Sequence, residues 1–243
     1  MAKNVGLIQF NGALGDLVSY ERNGVQVVQR KGGFNSERIK TEERYASVRK
    51  RQSEFGKCAK LSSAIKRGLD HWLPWTPNAM IYNYIQSVVM GVKNCDLDSE
   101  KGAKTFEKGL QTAAGANLLR NMELNRKRKL NAGMRVTQPF DFATGTVQVV
   151  PYNYKLKNKV KLGVTLVVLQ VDLATYDYTV LDTGLQLCER LDAVLDLQIA
   201  VPEKSGLMAA FLFANLCDCT SNTLFFKRDV QMGFGILDFK VVP

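Results

Sequence analysis

The second half of the chain constrains the fold most. From about Met134 onward it consists of short β-rich segments separated by Gly, Pro, Asp and Asn. Segments at this spacing, without strand–helix–strand alternation, predict an antiparallel sandwich of immunoglobulin-like architecture rather than a doubly wound parallel sheet. The seven segments are residues 146–150, 161–171, 176–181, 193–200, 207–216, 223–226 and 236–242.

The N-terminus also predicts β structure, in the form of a hairpin. Asn23-Gly24 stands between the strand-like runs 17–22 and 25–31. Asn-Gly in this position is the strongest short-range hairpin signal, because a type I′ turn needs a positive φ at both central residues. A shorter apolar run at 7–10 predicts a further strand before it.

A long basic helix is expected over residues 41–72, with Thr41 as its N-cap and Glu42 and Glu43 in its first turn. Helical spacing places the basic side chains opposite Phe55, where they point outward. The apolar stripe predicted for this helix consists of Tyr45, Val48, Phe55, Cys58, Ile65, Leu69 and Trp72.

Two more helices follow in the first half of the chain. Thr76-Pro77 predicts a helix start after the break at residues 72–75, and Thr112 is expected to cap a short helix over residues 113–122. The helix after Pro77 would pair antiparallel with helix 41–72. Its expected buried face consists of Ile81, Tyr84, Ile85, Val88 and Val92.

These patterns together predict an α+β protein. Residues 1–130 would form a basic N-terminal domain with a β-hairpin and a helical hairpin, and residues 131–243 an immunoglobulin-like β-sandwich domain. The alternative is one continuous body in which the helices lie against the sheet.

Positive charge is concentrated in the first half of the chain. The formal net charge is +10, of which residues 1–130 contribute +11 and residues 131–243 contribute −1. This asymmetry suggests that one end meets a polyanion or an acidic partner, and the alternative is a solvated face that keeps the protein soluble. The candidate contact residues are Arg30, Lys31, Arg49, Lys50, Lys57, Lys60, Arg67, Arg126, Lys127, Arg128 and Lys129.

The residues that usually carry catalysis are sparse. The single histidine, His71, disfavours zinc and non-haem iron sites, which usually need two or more imidazoles. The five cysteines are odd in number and scattered, which is typical of reduced thiols, and Cys58 is expected to be buried and inert. We therefore expect no catalytic residue, no cofactor, no metal and no small-molecule substrate.

No part of the sequence predicts a membrane partner. No signal-like apolar stretch precedes Asn11, and the longest apolar runs are shorter than the roughly 20 residues that span a bilayer. The expected localisation is cytoplasmic, or within a particle assembled in the cytoplasm.

Several segments resemble a family of uncharacterised proteins from Bacteroidota. The resemblance rests on the glycine-bounded hairpin 12–33, on the segment 49–56 ending in Ser-Glu-Phe-Gly, and on Lys-Gly-Leu-Gln-Thr at 108–112. Ala113-Ala114 departs from the acidic pair expected there. The resemblance implies a hairpin and helical region followed by a β-rich half, and it assigns no activity. By analogy, the short basic opening, with its glycine-bounded hairpin and following helix, also resembles that of phage-like particle proteins.

Two functions remain as hypotheses. The first is a non-enzymatic structural or assembly protein, for example of a phage-like particle, that docks on other copies or other subunits through its basic N-terminal half. The second is a polyanion-binding module that contacts DNA or RNA through the basic helix 41–72.

Overall fold

The chain forms two compact units, Met1–Lys50 and Arg51–Pro243. The structure is a computed structural model that describes residues 2–3, 10–22, 24–30, 36–73, 80–125, 129–154, 156, 160–201, 205–218, 225–226 and 233–242. The chain is α+β, as predicted. The expected division at residue 130 does not coincide with the division into these units.

The N-terminal unit contains a four-stranded antiparallel sheet. Its strands are β1 (Ala2–Lys3), β2 (Gly12–Leu14), β3 (Leu17–Arg22) and β4 (Val25–Arg30), in the spatial order β1-β4-β3-β2. Within the described part of the chain, β2 is therefore an edge strand.

The predicted hairpin is confirmed by the pairing of β3 with β4. Arg22 pairs with Val25, which leaves a two-residue loop between the strands. Gly24 in this loop has a φ of +74°, a conformation that glycine adopts without steric cost. The strand predicted at residues 7–10 falls almost entirely outside the described residues.

The helix predicted from Thr41 begins later than expected. Thr41 ends a separate helix, α1 (Ser36–Thr41), and its hydroxyl donates to the Glu37 carbonyl at 2.8 Å instead of capping a new helix. A 3₁₀ turn at Glu43–Tyr45 follows, and α2 then runs over Ala46–Gly68. The predicted N-cap at Thr41 is wrong because that side chain bonds back into the preceding turn.

The stripe predicted for this helix is confirmed at four residues and is wrong at one. The confirmed, buried residues are Cys58, Ile65, Leu69 and Trp72. Phe55, by contrast, is 51% exposed, and Leu61, which was not in the stripe, is buried. Glu54 is buried on the same face of α2 although it is charged, so apolar spacing alone placed the centre of the face too close to Phe55.

The remaining helices are α3 (Ile81–Asn94), α4 (Phe106–Gln111) and α5 (Ala113–Arg120). Thr112 caps α5, as predicted, by accepting a hydrogen bond from the Gly115 N–H at 3.0 Å. Helix α4 was not expected from the sequence. The predicted start at Thr76-Pro77 lies outside the described residues.

Helices α2 and α3 run antiparallel, as expected. Tyr82 near the start of α3 contacts the Ala59 carbonyl, and Lys93 at its end meets Glu54, which lies earlier in α2. The expected buried face of α3 is largely confirmed, since Ile81, Ile85 and Val92 are buried.

Two antiparallel sheets follow the helices. The smaller sheet has the order β10-β6-β5, and the larger sheet is centred on the paired strands β7 and β11. β8 and β9 pair with β7, and β12 and β13 pair with β11. The strands are β5 (Met134–Asp141), β6 (Thr146–Pro151), β7 (Val160–Val171), β8 (Tyr178–Asp182), β9 (Gln186–Cys188), β10 (Leu195–Gln198), β11 (Gly206–Asp218), β12 (Phe225–Phe226) and β13 (Gly233–Val242).

The larger sheet is the middle layer of three. Even-numbered residues of β7 and β11, such as Leu166 and Leu212, pack in one core with the smaller sheet. Odd-numbered residues, such as Leu169, Phe211 and Phe213, pack in a second core with helices α2, α3, α4 and α5. The two stacked sheets bear out the predicted sandwich.

The helical layer distinguishes this sandwich from the immunoglobulin-like architecture that was expected. An antiparallel sheet of a simple sandwich leaves its outer face in solvent and alternates apolar with polar residues. Strands β7 and β11 are apolar at almost every position, so both of their faces need cover. Helices α2 to α5 supply that cover on one side.

Candidate functional site

The predicted contact residues are distributed over both units. Six of them lie within the described residues and are exposed: Arg30, Lys50, Lys57, Lys60, Arg67 and Lys129. Lys31, Arg126, Lys127 and Arg128 lie outside the described residues.

Arg49 has a structural role instead of pointing outward. Its guanidinium donates to the carbonyl oxygens of Ile39 at 2.6 Å and Glu42 at 2.8 Å, and the side chain is half-buried. The Ile39 carbonyl lies at the end of α1, where backbone acceptors lack helical partners. The Glu42 carbonyl lies in the turn after α1 and also accepts a hydrogen bond from the Tyr45 N–H at 3.2 Å. Arg49 therefore holds the junction between α1 and α2 together.

Three of the exposed cations lie along one flank of α2 within the second unit. They are Lys57, Lys60 and Arg67, at positions that flank the buried face. The Lys60 ammonium lies 5.9 Å from the ring centroid of Tyr176. Among the described residues, Lys57 and Arg67 form no ion pair.

The sheet of the N-terminal unit has very little core of its own. Among the described residues of this unit, only Ser19 and Val27 are buried. A small sheet normally needs a packed hydrophobic face for stability. Leu14 is nevertheless 65% exposed and Leu17 is 39% exposed.

Leu14, Leu17 and Arg30 form a row across this sheet, which we call the N-terminal patch. Leu14 pairs with Leu17, and Leu17 pairs with Arg30, so all three side chains project from the same face. Asp16, in the two-residue loop between β2 and β3, is also exposed. The patch therefore presents an apolar pair with a cation on one side and a carboxylate nearby.

Polar contacts hold the segment before β2 against the hairpin. The Gln26 side-chain nitrogen lies 2.7 Å from the Phe10 carbonyl, 2.7 Å from Asn11 Oδ1 and 2.9 Å from Ser19 Oγ. This amide therefore connects the segment before β2 to both strands of the hairpin.

In the second unit, the helices bury an ion pair that the sequence did not predict. Lys93 Nζ donates to Glu54 Oε2 at 2.9 Å, and their side chains are only 6% and 7% exposed. The other oxygen, Oε1, accepts the backbone N–H groups of Gly102 at 2.6 Å and Lys104 at 3.2 Å. Glu54 thus ties α2 to the end of α3 and to the loop before α4.

These donors decide the protonation state of Glu54. Burial alone would raise the pKa of this carboxyl, but the hydrogen bonds from Lys93, Gly102 and Lys104 outweigh it and hold the pKa below its usual value of 4.5. Glu54 is therefore ionised at neutral pH.

A cavity of about 230 Å³ lies beside this ion pair. Helices α2, α3 and α4 line it together with the turn between β7 and β8. Cys58 is buried in its wall, and burial raises the pKa of this thiol, so the thiol stays protonated.

His71 lies away from this cavity. It is exposed, and its ring meets the Trp72 ring edge-on with 5.1 Å between centroids. Its neighbour Asp70 pairs with Lys66 at 2.8 Å. Asp70 is thus engaged with its own helix.

The sequence contained one signal for the buried pair. Glu54 occupies a position that continues the spacing of Cys58, Leu61 and Ile65, and Lys93 directly follows buried Val92. A charged residue at a core position predicts a buried partner. The identity of that partner, 39 positions away, becomes evident only in the fold.

Two further properties concern the described residues alone. None of the described helices combines the length and the hydropathy of a bilayer-spanning segment. In the same part of the chain, no three His, Cys, Asp or Glu side chains cluster in a way that could hold a metal ion.

Comparison with known proteins gives no match: no family model, no curated protein and no solved structure is similar to the chain.

Proposed function

We propose that this protein is a non-enzymatic structural subunit of a multi-subunit assembly, and that its N-terminal unit docks on a second copy of the chain. The observation that carries the proposal is a sheet in which, among the described residues, only Ser19 and Val27 are buried, while Leu14 and Leu17 form an exposed pair at its edge. An edge strand that exposes apolar side chains is a ready site for association.

The charges around the N-terminal patch favour a second copy as the partner. A two-fold contact brings the same surface of both subunits together. Residue i of the first subunit then meets residue j of the second, and residue j of the first meets residue i of the second. Arg30 and Asp16 flank the exposed leucines with opposite charges. In such a contact, Arg30 of each copy can meet Asp16 of the other while the leucines pack at the centre.

The first test is the molar mass of the full chain by light scattering. We expect a defined oligomer that persists at high salt, because the centre of the contact is apolar. The double substitution Leu14→Lys with Leu17→Lys should lower the mass to that of the monomer. Both leucines are exposed, so the fold should survive the change, and circular dichroism checks this.

The matched control places the same charges on exposed apolar side chains elsewhere. Leu97→Lys with Val194→Lys should leave the oligomer intact, since both positions lie outside the N-terminal unit. A wild-type monomer at every concentration contradicts the proposal, as does an oligomer that the Leu14 and Leu17 substitutions leave unchanged.

Polyanion binding is the second candidate function, and the exposed flank of α2 favours it. Lys57, Lys60 and Arg67 can each neutralise a phosphate group, and each contact adds about 0.9 to the slope of log affinity against log salt. Reversing all three charges to Glu should weaken binding of a short DNA duplex at low salt and flatten that slope, as measured by fluorescence anisotropy.

The control for this experiment reverses three exposed cations that are not part of α2. Lys101→Glu, Arg190→Glu and Lys240→Glu change the net charge by the same amount, but they leave the flank of α2 intact. Equal weakening by both triple variants indicates non-specific attraction, and no binding by the wild type at low salt eliminates this candidate.

A further inference from the structure

The cavity beside the Glu54–Lys93 pair has the features of a binding site for a small molecule. Its volume of about 230 Å³ exceeds the roughly 150 Å³ of an engineered cavity that holds benzene. Apolar side chains line part of it, contributed by Leu61, Phe106 and Leu173. A compact ring-sized group fits these dimensions.

Lys93 supplies the polar anchor of this cavity. Its ammonium has three N–H donors, and Glu54 is its only hydrogen-bond partner among the described residues. The side chain is 6% exposed, so bulk water has little access to the remaining donors. A buried ammonium whose remaining donors meet no described protein group can donate to a further acceptor in the cavity.

The neighbouring charges select the kind of acceptor. Glu54 already accepts three hydrogen bonds and is neutralised by Lys93, so it offers little to a cationic ligand. Lys57 and Lys104 also line the cavity and outnumber the one remaining carboxylate, that of Glu107. The excess positive charge favours an anionic ligand.

We propose that this cavity binds a small organic carboxylate with a compact apolar body. The ligand's carboxylate would accept hydrogen bonds from the free donors of Lys93, and its body would lie against Leu61, Phe106 and Leu173. Hydrogen bonds between a buried ammonium and a carboxylate are among the strong ones in proteins, so charge recognition should dominate the affinity.

Benzoate is a suitable probe, with benzamide as its uncharged analogue of nearly the same shape. Titration of the full chain, followed by calorimetry, should give saturable binding of benzoate that is at least about tenfold tighter than that of benzamide. Absence of saturable benzoate binding, or equal binding of the two probes, overturns the proposal.

A variant at the cavity wall tests the location without touching the ion pair. Ala174 lines the cavity and is exposed, so Ala174→Trp should place a large ring at the cavity wall and abolish benzoate binding while the fold is retained. Ala114→Trp adds the same ring to an exposed position of α5 outside the cavity and should bind benzoate like the wild type. Unchanged binding by Ala174→Trp contradicts this site.

Discussion

Glu54→Gln should lower the free energy of unfolding by about 3–5 kcal/mol, because it leaves the Lys93 ammonium buried without a counter-charge. The glutamine keeps the size of the side chain, and its oxygen can still accept a hydrogen bond from the Gly102 N–H. Its NH2 group then faces Lys93, so the ammonium loses its hydrogen-bond acceptor together with its counter-charge. Urea denaturation followed by circular dichroism measures the effect. Glu100→Gln, on an exposed side chain, should change stability by no more than about 0.5 kcal/mol.

Removal of the Lys93 charge as well should recover much of the stability that Glu54→Gln loses. Glu54→Gln combined with Lys93→Met is expected to be more stable than Glu54→Gln alone, since no unpaired charge then remains in the core. A double variant whose losses simply add would mean that Glu54 and Lys93 do not interact as the structure indicates.

The same ion pair predicts how stability responds to acid. The pKa of Glu54 is below 4.5 in the folded protein, so its contribution to stability is fully present above pH 4.5 and is lost as the pH falls through the folded-state pKa. Glu54→Gln lacks this contribution. The difference in stability between wild type and variant should therefore shrink as the pH falls below 4.5.

Gly109→Ala is the second substitution with a large expected effect. A Cβ at this position would lie 2.0 Å from the Val92 carbonyl oxygen and 2.8 Å from its carbon, and both atoms belong to the backbone of α3. Because backbone atoms cannot rotate away, α4 must shift from α3. We expect a loss of about 3 kcal/mol or more in urea denaturation.

Gly56→Ala is the matched control for this substitution. Gly56 lies within α2, and a Cβ there meets no atom within 4 Å. Alanine should stabilise the helix at this position by about 0.5–1 kcal/mol. The same chemical change is thus expected to have opposite signs at the two sites, and a similar effect at both would contradict the close approach of α4 to α3.

The elements that local chemistry determines were predicted well from the sequence. The Asn23-Gly24 hairpin, the Thr112 cap and the strands β6, β7 and β11 each depend on residues within a few positions of one another. Such signals survive in a single sequence because no distant contact is needed to interpret them.

Predictions that depended on distant contacts were less successful. The buried face of α2 was centred wrongly because Glu54 is buried through Lys93, 39 residues away. The nearly continuous apolar runs of β7 and β11 indicate burial on both faces of the larger sheet, but which elements cover its outer face depends on distant contacts. Helical spacing predicts Arg49 on the outer surface, but its carbonyl partners depend on how α1 ends, which the spacing does not reveal.

The same contrast between local and distant contacts applies to the candidate sites. Arg30, Lys57, Lys60 and Arg67 are exposed cations, as a charged residue in a polar context usually is. The alignment of Leu14, Leu17 and Arg30 in one row depends on strand register, which the two short loops fix. The cavity beside Lys93 combines three helices and a turn between strands, so no local pattern could have predicted it.

Hydrogen–deuterium exchange at low and high protein concentration tests self-association through the N-terminal sheet most directly. The proposed contact covers β2 and β3, so the backbone amides of Gly12–Leu14 and Leu17–Arg22 should exchange more slowly as the concentration rises, while those of β6 should not change. Exchange in β2 and β3 that is independent of concentration would contradict the proposed assembly role of this unit.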